Sequence, residues 1–243
     1  MTVTLTIIRY RRRYIAIALL AMAIHRIPLW LNKKISFWKL LGSGKNGHFD
    51  KTPDWQQWGI LAVYPTDLET ASLTNKEAEL DLSLLYGTFI ANWLRLFGCE
   101  SWTIYLSPTE GHGSWDGKKV FGDLPLKTEN TGPVAILTRA SIRFSKLKSF
   151  WSRVDAVANQ MAAAEGFWGS LGIGEVPWLK QATFSIWENR AAMKNFAYQM
   201  KEHRAVITDT KKEKWYNEDM FVRFTILGAK GTIKGKPAFE GKL

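Results

Sequence analysis

Two stretches of this chain repeat one another: FWKLLGSG at Phe37–Gly44 and FWGSLGIG at Phe167–Gly174 share Phe, Trp, Leu and both glycines at one offset. The echo runs on in both directions and keeps its order. TLTIIRY (Thr4–Tyr10) answers AILTRASI (Ala135–Ile142), with Arg9 and Arg139 in the same place. WGILAVYPTDLETASL answers QATFSIWENRAAMKNF, each an apolar strand ending in an aromatic, then a short turn and a helix. The segment Gly113–Phe121 answers Gly231–Phe239. Internal repetition on this scale constrains the fold more than any single motif. Each half reads β-α-β-β-α-β, the ferredoxin-like plan. Two such halves predict an α+β fold with two sheets packed face to face, a dimeric-α+β-barrel-like unit made within one chain. The repeats are expected over 1–124 and 133–243, joined by a linker at 125–132 that carries Pro, Gly, Asn and Thr.

The composition agrees with a packed fold. Hydrophobic residues make up 46% of the 243, with 12 Trp and 13 Phe, which excludes a disordered chain. Cys99 is the sole cysteine, so no internal disulfide forms and a reducing, cytoplasmic setting is expected. The net charge of +11 is spread in small clusters and suits an anionic partner: a membrane leaflet, nucleic acid or an acidic electron donor. No zinc knuckle, helix-turn-helix or RNA-binding sheet motif is present, so nucleic acid is not expected.

Arg11-Arg12-Arg13 followed by the apolar run Ile15–Ile24 imitates a signal peptide. The run is too short to span a bilayer, and the repeat sets it opposite FWSRVDAVANQMAAAE. It is therefore read as the first helix of the fold, ended by Pro28; a cleaved or inserted segment is the competing reading. Leu82–Phe97 reads as a second helix. His25, His48 and His112 are expected on helix or loop surfaces.

Gly166–Arg204 reads as strand, tight loop, strand and helix. Asn189 suits the cap of that helix. Met193, Phe196, Ala197 and Met200 form an apolar stripe at i, i+3, i+4, i+7 spacing, with His203 at its edge. A histidine there is either a satisfied core or capping residue, or a neutral imidazole of the kind that holds haem iron. The residues alone leave both readings open. No nucleophile elbow, Walker motif, CxxC pair or HExxH appears, and GSGKNG at Gly42–Gly47 lacks P-loop spacing.

FWSRV (Phe150–Val154), LGIGE (Leu171–Glu175), TFSIW (Thr183–Trp187), FAY and HR within Phe196–Arg204, and WYNEDMFVRF (Trp215–Phe224) resemble the spheroidene monooxygenase family of acyclic carotenoid ketolases. The likeness spans nearly the whole chain and is densest from Arg139 onward. It implies an O2-dependent haem enzyme that oxidises C2 of acyclic carotenoids to an alcohol and then a ketone, with a ferredoxin-type reductant. His203 is then the expected iron ligand, and Glu218 a carboxylate for its second N–H if the fold brings the two together. Arg204 and Arg223 are candidates for haem propionates, against the alternative of ordinary ion pairs. Tyr198, Trp215 and Phe196 are candidates for the substrate pocket, against the alternative of plain core. A lipid-soluble polyene would be loaded at a membrane surface, with the triple arginine as a peripheral attachment. Two other readings remain beside this one: a cofactor-free oxygenase or dehydratase on the same barrel, and a non-catalytic barrel that binds a hydrophobic ligand.

Overall fold

In the computed structural model, residues 1–45, 52–68, 80–128, 132–199 and 213–237 are described, and the statements below concern them. The elements are β1 (Thr2–Arg9), α1 (Ile15–Ile24), α2 (Arg26–Leu31), β2 (Phe37–Gly44), β3 (Pro53–Tyr64), α3 (Leu82–Tyr86), α4 (Thr88–Leu96) and β4 (Glu100–Gly113), then β5 (Val134–Ile142), α5 (Leu147–Ala162), β6 (Phe167–Val176), β7 (Lys180–Trp187), α6 (Arg190–Gln199) and β8 (Tyr216–Gly231). A single 3-10 turn precedes both α1 and α5, at Arg12–Tyr14 and Phe144–Lys146. The fold is α+β. Its eight strands hydrogen-bond in the order β1-β3-β2-β6-β7-β5-β8-β4, which closes as a barrel. β1 is flanked by β3 and β4, and β5 by β7 and β8, all antiparallel.

By packing, the chain divides into two compact units: residues 1–43, 54–107 and 226–243, and residues 44–53 and 108–225. The division passes through β4 after Ser107 and through β8 after Thr225.

In the first unit, β1 is buried on both faces, so TVTLTII carries no polar-apolar alternation toward water. Ile8, Ile60, Ala62 and Tyr64 pack with Ala18, Leu29, Leu85, Tyr86 and Ile90 from the helices. The hydroxyls on this face are paired. Tyr86 Oη lies 2.6 Å from Thr6 Oγ1 and 3.1 Å from Thr4 Oγ1, and Tyr64 Oη donates to the Leu85 carbonyl at 3.0 Å. Such pairing lets polar tips sit in an apolar layer without an unsatisfied group. Proline does not end the first helix as expected: Pro28 lies inside α2, in the first turn after His25, where no N–H is needed. Leu82–Phe97 is broken in two at Gly87, whose φ of 89° ends α3.

In the second unit, Asn189 Oδ1 accepts from the Ala192 N–H at 2.9 Å and caps α6. α6 then buries Met193 and Phe196 with Val134, Ile136 and Trp187 of the sheet. Gly113 of this unit and Gly231 of the first close their strands in the same way, with φ of 88° and 86°. A Cβ on either would lie within 2.2 Å or 2.1 Å of a neighbouring carbonyl oxygen, so only glycine fits. Each is followed by a short bridge, Trp115 with Lys118 and Ile233 with Lys236.

Candidate functional site

The second unit holds a cavity of about 190 Å³ between the β5/β7/β8 face and helices α5 and α6. Period-two alternation selects its floor: Ile136, Thr138 and Ala140 from β5, and Gln181, Thr183 and Ser185 from β7. Val154, Val157 and Met161 of α5 and Met193 and Phe196 of α6 cover it. Aromatic contacts brace both ends. Trp187 packs on Phe196 with centroids 5.2 Å apart, and its indole N–H donates to Ser185 Oγ at 3.0 Å. Trp215 packs edge-on against Phe150 at 6.2 Å. In the first unit, Tyr64, Tyr86 and Tyr105 belong to the buried core between sheet and helices.

Two of the residues predicted for a pocket wall, Phe196 and Trp215, line this cavity. Tyr198 sits in the last turn of α6, and its side chain lies outside the described set. His203 and Arg204 also lie outside the described residues, as does His48.

Arg223 is described, and it reaches the cavity edge. Its guanidinium lies 5.0 Å from the Phe221 ring centroid and 3.9 Å from Met193 Sδ, two lining residues. Arg223 Nη1 is ion-paired with Glu110, and Arg190 Nη2 reaches the same carboxylate at 3.0 Å. Thr128 adds a backbone N–H to it at 2.9 Å. One carboxylate thus serves two guanidiniums, and the Nε atoms of Arg190 and Arg223 are buried with no hydrogen-bond partner among the described residues.

Glu218 is committed elsewhere. It pairs with the buried Arg139 and accepts from the Ser114 hydroxyl and the Gly117 N–H, both at 2.7 Å. Burial pushes its pKa up, but the Gly117 N–H, the Ser114 hydroxyl and Arg139 outweigh it and hold the carboxyl at about 2. Arg139 also reaches Glu175 at 3.3 Å and Asp116 at 3.4 Å, and it faces the Trp115 ring at 5.4 Å. This cluster ties four segments of the unit together.

Sequence reasoning placed His25 on a surface, and the fold buries it at 2% exposure. It sits edge-on to Trp93 at 5.5 Å and Phe89 at 6.4 Å. Burial lowers its pKa to about 4, so the imidazole is neutral. The polar lining residues Gln181, Thr183 and Arg153 were missed as well. Their signal was present in the alternation of KQATFSIW, where Gln181, Thr183 and Ser185 fall on one face.

A haem would need an apolar slot, cations for its propionates and an iron ligand. The described lining supplies apolar walls, with Arg153 among them and Arg223 beside the lining residues Phe221 and Met193. Among the described residues the lining contains no His, Cys, Asp or Glu, and no cluster of three or more such residues exists. The described part of the site offers apolar walls with cations nearby, but about 190 Å³ is the scale of a single aromatic ring rather than a macrocycle, so a haem would need further space as well as an iron ligand from residues beyond it.

Barrel and cavity together define an α+β-barrel protein with an apolar, aromatic-braced pocket in its second unit. No family model matches the chain. Spheroidene monooxygenase of Cereibacter sphaeroides is 36% identical over 238 residues, covering 97% of this chain and 69% of that protein. Spheroidene monooxygenase of Rhodobacter capsulatus is 31% identical over 225 residues, covering 91% of this chain and 88% of that protein. A solved aldoxime dehydratase in complex with butyraldoxime shares the fold, with a TM-score of 0.61 at 10% identity over 100% of this chain and 85% of its own. The chain belongs to the spheroidene monooxygenase family, and it is accordingly an oxidoreductase of the monooxygenase class.

Proposed function

We propose that this chain is a haem-dependent, O2-using monooxygenase that hydroxylates C2 of acyclic carotenoids such as spheroidene and oxidises the same carbon on to a ketone. The observation that carries the proposal is the cavity of the second unit, walled by apolar and aromatic side chains. The family supplies the substrate class. Haem, when bound, supplies the activation of O2, which no side chain of this lining provides. Phe196, Trp187 and Trp215 would hold a flat apolar group against the apolar side chains of α5 and α6. Arg223 and Arg190, sharing Glu110, and Arg153 would meet its carboxylates. The sequence running on from α6 carries His203 and Arg204, and His203 is the iron ligand in this reading.

Each oxidation inserts one oxygen atom from O2 into a C–H bond, releases the other as water, and consumes two electrons and two protons. A ferredoxin-type donor supplies the electrons. A second insertion at the same carbon gives a ketone hydrate, which loses water. We also read the chain as two ferredoxin-like repeats, 1–124 and 133–243, with 125–132 between them. The strand orders β4-β1-β3-β2 and β8-β5-β7-β6 support that reading.

The test is turnover of spheroidene under 18O2 by haem-loaded protein with a chemical or ferredoxin-type reductant. Labelled alcohol and ketone are expected. A folded, haem-loaded protein that leaves the carotenoid unchanged would overturn the reading in favour of a hydrophobic-ligand binder.

A further inference from the structure

The helix pair α1–α2 turns its wrong side to water. Its inward stripe is small and well packed: Ala18, Ala21, His25 and Leu29 are all at most 3% exposed. The opposite stripe, at i, i+4, i+7, i+11 and i+14, is Ala16, Leu20, Ala23, Ile27 and Trp30, and every one of these is exposed. Trp30 stands 77% exposed, Ile27 63% and the neighbouring Leu31 61%. A helix on a water-facing surface would carry charged residues there. This one carries Arg26 alone on its outer side, and within the helical stretch Arg12–Leu31 an 18-residue window has a mean hydropathy of 1.7.

The sequence on either side of the apolar face is basic. Arg11, Arg12 and Arg13 precede it and Lys33 and Lys34 follow it, all exposed, and the first acidic residue of the whole sequence is Asp50. Helix α4, which meets this pair around His25 through Phe89 and Trp93, adds exposed Phe89, Arg95 and Leu96 and no acid. An apolar ridge with a Trp at its end and basic residues on both sequence flanks matches an anionic lipid leaflet: the side chains enter the acyl boundary while the guanidiniums and ammoniums stay among phosphates. A protein partner would have to be both greasy at its centre and acidic at its edge. Spanning is excluded by the inward stripe, because pulling Ala18, Ala21 and Leu29 out of the first unit would open its core.

We propose that the outer face of α1–α2 docks this protein onto an anionic bilayer, lying in the plane of the headgroups with Leu20, Ile27 and Trp30 inserted. The purpose rests on the reading above, since a long polyene is delivered from lipid, but the docking is measured without turnover.

The experiment is co-sedimentation of the full chain with vesicles of phosphatidylcholine containing roughly one-third phosphatidylglycerol, against pure phosphatidylcholine. Wild type binds the anionic vesicles, and binding falls about tenfold or more on neutral vesicles or at high salt. Leu20→Asp/Ile27→Asp and, separately, Arg12→Glu/Arg13→Glu each lose about tenfold or more while keeping the wild-type thermal midpoint. The charge pair does not touch the core, so it remains decisive if the apolar pair fails to fold. Equal binding by wild type and the charge pair overturns the proposal. So does wild type that is dimeric by sedimentation velocity and ignores vesicles, since the face would then belong to a second copy. Carotenoid supplied in detergent separates the two readings: the docking variants still turn it over if the enzyme reading holds. Loss of turnover in wild type as well leaves the vesicle result standing by itself.

Discussion

Arg223 is held by Glu110, a carboxylate whose side chain is 3% exposed and which Arg190 shares at 3.0 Å. The relationship fixes the cavity edge, because Arg223 lies against Phe221 and Met193 and Arg190 opens α6. Removing the carboxylate strands one buried and one half-buried cation. Glu110→Ala is expected to cost about 3–5 kcal/mol in urea unfolding, the usual effect of breaking a buried ion pair from one side. A cost under about 1 kcal/mol would mean that water already compensates these guanidiniums.

The cavity itself can be closed from one position. Ala197 lines it from α6, and Ala197→Phe places a ring in a space of about 190 Å³. Carotenoid kcat/KM is expected to fall about tenfold or more, with a thermal midpoint within a few degrees of wild type, because the ring enters a void rather than packed core. Unchanged turnover in the folded variant would place the substrate elsewhere.

Glu218 makes acid stability predictable in sign. Its carboxyl is held at about 2 against an ordinary 4.5, so between those values the unfolded chain binds more protons than the folded one. The stabilisation is complete above pH 4.5 and is lost as pH falls toward 2, on the order of 3 kcal/mol in all. Glu218→Gln should be less stable than wild type at neutral pH by a similar order, and the two should converge near pH 2 in denaturant titrations.

His25 acts in a neighbouring window by the opposite chemistry. Burial lowers its pKa from 6.5 to about 4, so the unfolded chain again binds more protons in between. Stability should drop as pH falls from 6.5 to 4, by on the order of 3 kcal/mol. In His25→Phe that slope should be missing, with neutral-pH stability kept or raised because an Nε2 with no partner among the described residues is gone.

The strands and their order of appearance were legible because the repeated strings mark strand ends, where glycine is obligatory. Gly113 and Gly231 are the instance, each with a carbonyl in the space of its missing Cβ. Asn189 was legible for a local reason, since a cap needs only its own helix. His25 was not, because α1 is apolar on every side and nothing in IAIALLAMAI says which stripe turns inward. Pro28 misled through its position, being tolerated in a first turn and read as a stop. Phe196 and Trp215 were legible as pocket candidates, but the shape of the cavity was not, because it depends on how side-chain volumes from β5, β7, α5 and α6 meet. The pairing of Arg223 with Glu110 joins residues on different strands, which no local pattern announces.

The most direct test of the central claim is the absorption spectrum of protein expressed with haem precursor: wild type beside Ala197→Phe and His203→Ala. A stoichiometric Soret band in wild type, weakened by the cavity variant and lost in His203→Ala, is the predicted result. A colourless folded wild type, or a band that both variants keep in full, would contradict a haem held in this cavity.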